Sequence, residues 1–233
     1  MAQTYGPKYP GPQDGLIFSF DPKNRKCWSG GGMTGEVTDS VNNLGGDLSF
    51  ANSDDETAGA LTTEGYFTYD GTDDDIVFDY SSALENQEAT VEAWVNWNGS
   101  PGNRGIIELM DGGTKGYFLA RYSNKLQFYI YHSGPGWDNI GTLNPTADTW
   151  YHVVGTVTAY GTSNNQKIYI NGALNAQGTT TNNITYNSSN VRIANYDNIE
   201  WEGKIGPINI YNRSLTASEV MTNYNRLKGR FGL

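Results

Sequence analysis

The chain is short of charge, of cysteine and of histidine. Of its 233 residues, 17% are charged, two are histidine and one, Cys27, is cysteine. A single cysteine excludes an internal disulfide framework. Lysine and arginine number 15 against 25 acidic residues, a net charge of −10, which argues against a nucleic-acid partner because that footprint is basic. No apolar run reaches the length of a membrane-spanning helix, so no membrane insertion is expected. The opening "MAQTYGPKYPGPQDG" has neither a basic n-region nor an apolar core, so it does not read as a secretory signal. The expectation from these absences is folding in a reducing cytoplasm.

What is abundant is glycine (29) and tyrosine (16). Many turns and many half-buried aromatic positions fit short strands better than a helical bundle. "ATVEAWVNW" alternates strictly, with Val91, Ala93, Val95 and Trp97 on one face and Glu92, Trp94 and Asn96 on the other. Trp94 makes the second face apolar as well, which predicts a central strand. "KGYFLARY" and "NKLQFYIYH" read as a hairpin about Ser123–Asn124. "WYHVVGTV" and "KIYING" read as two further strands. Asn171-Gly172 fits a type I′ turn, which needs φ > 0 at both positions. "YFTYDGTDDDIVFD" carries an Asp-Gly step between apolar runs and also reads as a hairpin. "VRIAN" and "GKIGPINIYN" predict the last strands. One helix is predicted at about residues 216–228, because Thr216-Ala-Ser-Glu219 forms a capping box, Val220, Tyr224 and Leu227 recur at helical spacing, and Gly229 reads as the stop. The organisation expected is an N-terminal arm (1–14), one domain (15–229) and a tail (230–233).

Together, "ATVEAWVNW", "TWYHVVGTV…KIYINGAL" and "EGKIGPINIYNRSLTASEV" resemble the laminin-G-like, concanavalin A-like jelly-roll superfamily. The matching residues are Trp94, Trp150, His152, Tyr169, Asn171, Gly172, Gly203, Tyr211, Asn212, Leu215 and Glu219. The resemblance implies an all-β, two-sheet antiparallel sandwich with one short C-terminal α-helix. "GLIFSFDPKNRKCWSGGG", "VTDSVNN" and the closing "SEVMTNYNRLKGRFGL" resemble virion proteins of tailed bacteriophages. That implies a non-enzymatic structural protein, made in a bacterial cytoplasm and placed on a virion as a capsid decoration or a tail or fibre component, with weak glycan adhesion as the expected extra activity. Its partners would be other virion proteins and its own copies. A free-standing carbohydrate-binding module is the alternative; a glycoside hydrolase is the remote one, since a fold hosts many functions.

The residues bear unequally on these readings. Hydrolases of this fold need two carboxylates flanking the scissile bond. No E-x-D-x-E run is present, and the nearest pair, Glu88 and Glu92, is four apart. His152 occupies a strand position and reads as structural; His132 ends a strand. Tyr129, Tyr131, Trp137, Asp138 and Asn139 form a candidate surface for a cell-surface glycan, with Trp137 stacking a sugar and Asp138 and Asn139 taking hydroxyls from a loop. The other reading of these residues is packing under a loop. No cofactor is required. Asp73, Asp75, Asn195 and Asp197 are candidate calcium ligands at a rim where relatives carry an ion, although Gly206-Pro207 stands near the place of an acidic residue in calcium-type relatives. Tyr5 and Tyr9 in the arm, with Arg230, Phe231 and Leu233 in the tail, are candidate docking residues.

Overall fold

A computed structural model describes residues 12–28, 34–49, 65–109, 115–132 and 136–233. Tyr5 and Tyr9 therefore lie outside the described residues. The strands are β1 (Leu16–Phe20), β2 (Thr34–Thr38), β3 (Gly45–Ser49), β4 (Phe67–Asp70), β5 (Asp75–Phe78), β6 (Ala89–Trp97), β7 (Arg104–Leu109), β8 (Gly116–Tyr122), β9 (Lys125–Tyr131), β10 (Trp137–Ile140), β11 (Trp150–Val157), β12 (Gln166–Ile170), β13 (Ala173–Gly178), β14 (Val191–Ile193) and β15 (Glu202–Tyr211), followed by helix α1 (Ala217–Leu227). They form two antiparallel sheets, a seven-stranded one ordered β1-β15-β6-β11-β12-β13 with β4 also on β15, and an eight-stranded one ordered β10-β9-β8-β7-β14-β5-β3-β2.

Alternation of side chains builds the sandwich. Val91, Ala93 and Val95 of β6 face Ile107, Leu119, Phe128 and Ile130 of the other sheet in one core. As the pattern predicts, β6 is central, paired with β15 and β11. The β8–β9 hairpin turns at Ser123 (φ 49°) and Asn124 (φ 62°), and the β12–β13 hairpin at Asn171 (φ 51°) and Gly172 (φ 80°). Asn171 does more than turn the chain: its Oδ1 accepts from the His152 backbone N–H at 2.9 Å, and its own N–H donates to the His152 carbonyl.

Two expectations are corrected. The Asp-Gly step after Asp70 does not make a hairpin. Strand β4 pairs with β15 in one sheet while β5 pairs with β14 and β3 in the other, so residues 71–74 carry the chain across the sandwich. Asp70 Oδ1 accepts the Thr72 N–H (2.8 Å) and Asp74 Oδ2 accepts the Asp70 N–H (2.9 Å), which fixes that crossing. The helix ends where expected, at Leu227 with Lys228 as its C-cap, but Gly229 is not its left-handed stop. A 3-10 turn, Lys228–Phe231, follows α1, and the left-handed residue is Gly232 (φ 73°). This turn lays Phe231 on Trp94, with centroids 4.7 Å apart, and Arg230 on Asp21, with N–O distances of 2.7 and 2.8 Å. Phe231 is buried, so it and Arg230 anchor the tail to the sandwich rather than stand free; Leu233 is exposed. Gly206 lies beneath Phe231, where a Cβ would come within 2.9 Å of the ring. Pro207, in a strand paired on both sides, is tolerated because the register shifts there, between Ile205 and Ile208.

Candidate functional site

The outer faces of the two sheets differ. That of the seven-stranded sheet is sealed by α1 and the 3-10 turn. Val154, Tyr169, Tyr211, Leu215 and Val220 close one end, and Trp94, Leu227 and Phe231 the other. Between them a polar cluster is fully buried. The Nε2 of His152 lies 2.9 Å from Oε1 of Glu92, and Asn223 Nδ2 donates to Glu92 Oε2 at 2.7 Å. Glu88 lies just before β6 and is exposed. Glu88 and Glu92 therefore do not flank a common cleft, and His152 is fully buried against Glu92.

The outer face of the eight-stranded sheet is open: among the described residues no helix or strand packs over it. The registers define one row across all eight strands, in the order Asn139, Tyr129, Phe118, Glu108, Arg192, Val77, Asp47, Glu36. Its first half is aromatic. Phe118 is held between Tyr129 (4.4 Å, 8°) and Tyr196 (4.1 Å, 9°), with Trp137 edge-on at 5.4 Å. Tyr131 meets Trp137 at 4.8 Å, and Tyr122 meets Tyr129 at 5.7 Å. Phe118 and Tyr129 are buried, whereas Tyr122, Tyr131, Trp137 and Tyr196 are half-exposed. Such edge-on and offset pairs suit aromatic quadrupoles and make a rigid platform. Tyr129 donates to Gln127 Oε1 at 2.7 Å. Burial raises its phenol pKa, while a hydrogen bond with Asn139 opposes the rise.

The structure thus gathers Tyr129, Tyr131, Trp137 and Asn139, but on a different footing from the loop expected. Trp137, Asp138 and Asn139 belong to edge strand β10, where alternation sends Asp138 to the other side of the sheet. There its Oδ2 is 3.4 Å from His132 Nε2. Phe118, Tyr122, Tyr196, Gln127 and Glu108 were not singled out in the sequence. The period of "GYFLARY" sets Phe118 and Tyr122 on one face and gives a signal for them; Tyr196 comes from a loop and gives none.

The candidate calcium ligands separate. Asn195 Nδ2 donates to Asp75 Oδ2 at 3.2 Å, but Asp73 sits with Asp70 and Asp74, whose carboxylates lie within 4.8 Å of one another. Asp197 is exposed on the loop after β14. Asp70 and Asp74 direct oxygens at backbone N–H groups of the crossing itself. Burial raises the Asp75 carboxyl above its ordinary range, against the pull of Asn195 and Arg192. Burial likewise raises Glu200, with a further push from Asp75.

This fold and sequence place the chain in a family. Its residues 70–221, well over half of the chain, match the model of the concanavalin A-like lectin/glucanases superfamily, and the chain belongs to it. No curated protein matches it in sequence. Similar solved structures include the botulinum neurotoxin serotype D binding domain (TM-score 0.65, 15% identity, 91% of this chain and 52% of that one). Another is a structure of botulinum neurotoxin type C, whose cell entry is described as dependent on two ganglioside molecules (TM-score 0.66, 15% identity, 91% and 51%). A third is Trypanosoma rangeli sialidase in complex with sialic acid (TM-score 0.65, 17% identity, 94% and 34%). The chain spans about half the length of the neurotoxin chains and about a third of the sialidase. At these identities the likeness is one of fold.

Proposed function

We propose that the protein is a non-catalytic glycan-binding module whose ligand lies on the aromatic half of the eight-stranded sheet. The observation that carries this reading is the set of half-exposed rings, Tyr122, Tyr131, Trp137 and Tyr196, held rigid on the one sheet face that α1 leaves open. Rings with an apolar body and a polar tip suit a sugar, which presents C–H groups on its faces and hydroxyls at its edge. Asn139 and Gln127 supply polar groups beside them. The gangliosides and sialic acid named for structures of like fold support a glycan as the class of ligand. Glu108, the acid in register with the platform, is 1% exposed and ion-paired, and so poorly placed for acid–base work.

The test is a glycan array followed by calorimetry on the full chain. Binding is expected, with loss of about ten-fold or more in affinity for Trp137→Ala and Tyr131→Ala, in the range of a buried aromatic contact. An array with no bound glycan, or a Trp137→Ala protein that binds as well as the parent, overturns the reading. Incubation with β-glucans is expected to release no reducing ends; turnover abolished by Glu92→Gln or Glu108→Gln would overturn the non-catalytic assignment. Calcium, where bound, would take Asp70, Asp73 and Asp74. The setting we propose is the bacteriophage virion, on the resemblance of the chain's two ends to virion proteins. Mass spectrometry of purified particles tests it, and absence from the particle rules it out.

A further inference from the structure

We infer that Asn195 and Gly105 are positioning residues for the glycan surface, which seat Tyr196 on Phe118 and fix it there in advance of a ligand; this rests on the glycan-binding reading above. Tyr196 has no strand to hold it. It lies in the loop between β14 and β15, yet its ring stacks on Phe118 at 4.1 Å and 9°, as closely as that of Tyr129, the strand neighbour, at 4.4 Å. Contacts outside the strand ladder must set that geometry.

The seat is made by small residues. Gly105 of β7 stands opposite Ala120 of β8, and Ala120 belongs with Phe118 to the outer aromatic cluster against which Tyr196 packs. Two adjoining positions with little or no side chain leave a depression in a face otherwise built of rings. The loop fills it. A Cβ on Gly105 would run into the Tyr196 backbone nitrogen and the Asn195 carbonyl carbon, and would come within 2.7 Å of the Tyr196 Cβ. The Gly105 N–H also donates to the Ile199 carbonyl at 3.0 Å, which ties the far limb of the loop to the same strand.

Asn195 holds the loop down. Tyr196 and Ile199 exchange N–H···O bonds of 3.2 and 2.8 Å around Asp197 (φ 49°) and Asn198 (φ 59°), the two left-handed positions of a type I′ turn. One Asn195 amide, on a residue 5% exposed, fastens that turn to the sheet. Its Oδ1 accepts the Asn198 N–H at 3.1 Å, and its Nδ2 donates to Oδ2 of Asp75, in β5, at 3.2 Å, with Glu200 Oε1 a longer contact at 3.5 Å. A backbone N–H only donates and an ionised carboxylate only accepts, so these partners leave the amide one orientation. An amide held at both ends fixes residue 195 and hence the entry of the chain into Tyr196. A ring already in place spares a ligand the cost of ordering it.

The experiment uses the full chain and the isosteric variant Asn195→Asp. This keeps the acceptor and the volume but replaces the donor by a charge facing Asp75 and Glu200, so a role in packing alone would leave it like the parent. By NMR, the Phe118 ring protons, lying between two rings, carry upfield ring-current shifts; Asn195→Asp is expected to reduce them toward the values in Tyr196→Ala. On arrayed neutral and sialylated oligosaccharides, Tyr196→Ala should weaken binding about ten-fold. Asn195→Asp should cause most of that loss, and the double variant no more than Tyr196→Ala alone, as for two residues that act through one ring. Gly105→Ala should lift the loop to the same effect, and Asn195→Ala, which adds no charge, stands in where either variant fails to fold. Parent-like Phe118 shifts in the Asn195 variants, or losses that add in the double variant, would sink the inference while leaving glycan binding intact. If the parent binds no oligosaccharide, the glycan-binding reading fails, and the Phe118 shifts still decide whether Asn195 positions Tyr196.

Discussion

Trp94 is fully buried, and its ring meets Phe231 at 4.7 Å, His152 at 4.9 Å and Tyr224 at 6.0 Å. Truncating it removes a large apolar surface and leaves a cavity between a sheet and a helix that cannot both collapse. Trp94→Ala is therefore expected to cost about 3–5 kcal/mol in denaturant unfolding. A cost under about 1 kcal/mol would mean that the helix does not seal this face. Asp39 is the polar counterpart. Fully buried, it accepts backbone N–H groups of Ser19, Val41, Asn42 and Leu44 at 2.8–3.1 Å. Asp39→Ala strands these donors and is expected to cost about 3 kcal/mol or more, with Asp39→Asn recovering only part because its amide end meets donors. Chemical denaturation of both variants checks this, and equal stability of Asp39→Asn and the parent would refute it. The two residues were unequally legible. The alternation around Trp94 announces a strand buried on both faces, whereas Asp39 sits in a run of Ser, Asn and Gly that looks like any loop, its role set by Ser19, twenty residues away.

At the scale of elements, local signals held where the partner is adjacent in sequence and failed where it is not. The capping box of α1 forms as its spacing implies: Thr216 N–H donates to Glu219 Oε2 at 2.8 Å, and Glu219 N–H to Thr216 Oγ1 at 3.3 Å. The turns at Ser123-Asn124 and Asn171-Gly172 likewise follow from their residues. The crossing after Asp70 did not, because apolar alternation cannot say which of two sheets a strand joins. The helix also carries a pH signature. Hydrogen bonds from Arg213 hold the Glu219 carboxyl down from an ordinary 4.5 to about 2, helped by Thr216 and opposed by burial. A carboxyl depressed in the folded state stabilises the fold at every pH above its unfolded value. That contribution fades as the pH falls from about 4.5 toward 2. Side-chain exposure of 28% means solvent screening keeps the effect small. The thermal midpoint should thus fall less steeply over that interval for Glu219→Gln than for the parent, and parallel curves would show that the Arg213 pair does not couple to folding.

For the whole molecule, the asymmetry is that α1 and the 3-10 turn cover one outer sheet face, whereas among the described residues no helix or strand covers the other. This was only half legible. Period-2 patterns give the strands, the capping box and helical spacing give the C-terminal helix, and Tyr129, Tyr131 and Trp137 were visible as an aromatic group. That the last six residues complete the cover was hidden, because Phe231 lies outside the helical period and its seat on Trp94 is created by a distant glycine, Gly206. The two ends of the chain should therefore respond differently to truncation. The described anchoring of β1 begins at Gln13, whose carbonyl accepts the Leu16 N–H, and at Asp14, whose carboxylate pairs with Arg213 at 3.1 Å. Deleting residues 1–11 keeps these contacts and the whole β1–β15 register, so the thermal midpoint should move by no more than a few degrees. Deleting residues 228–233 strips Phe231 from Trp94 and Trp150 and removes the Arg230–Asp21 pair. A loss of about 3–5 kcal/mol there corresponds to a fall of roughly 10 °C for a chain of this size. If the arm is the segment that docks the protein on a virion, the first deletion should also abolish incorporation into particles while glycan binding by the isolated protein persists. A 1–11 deletion that unfolds the domain, or one that still assembles at full occupancy, would show that the arm is not that anchor.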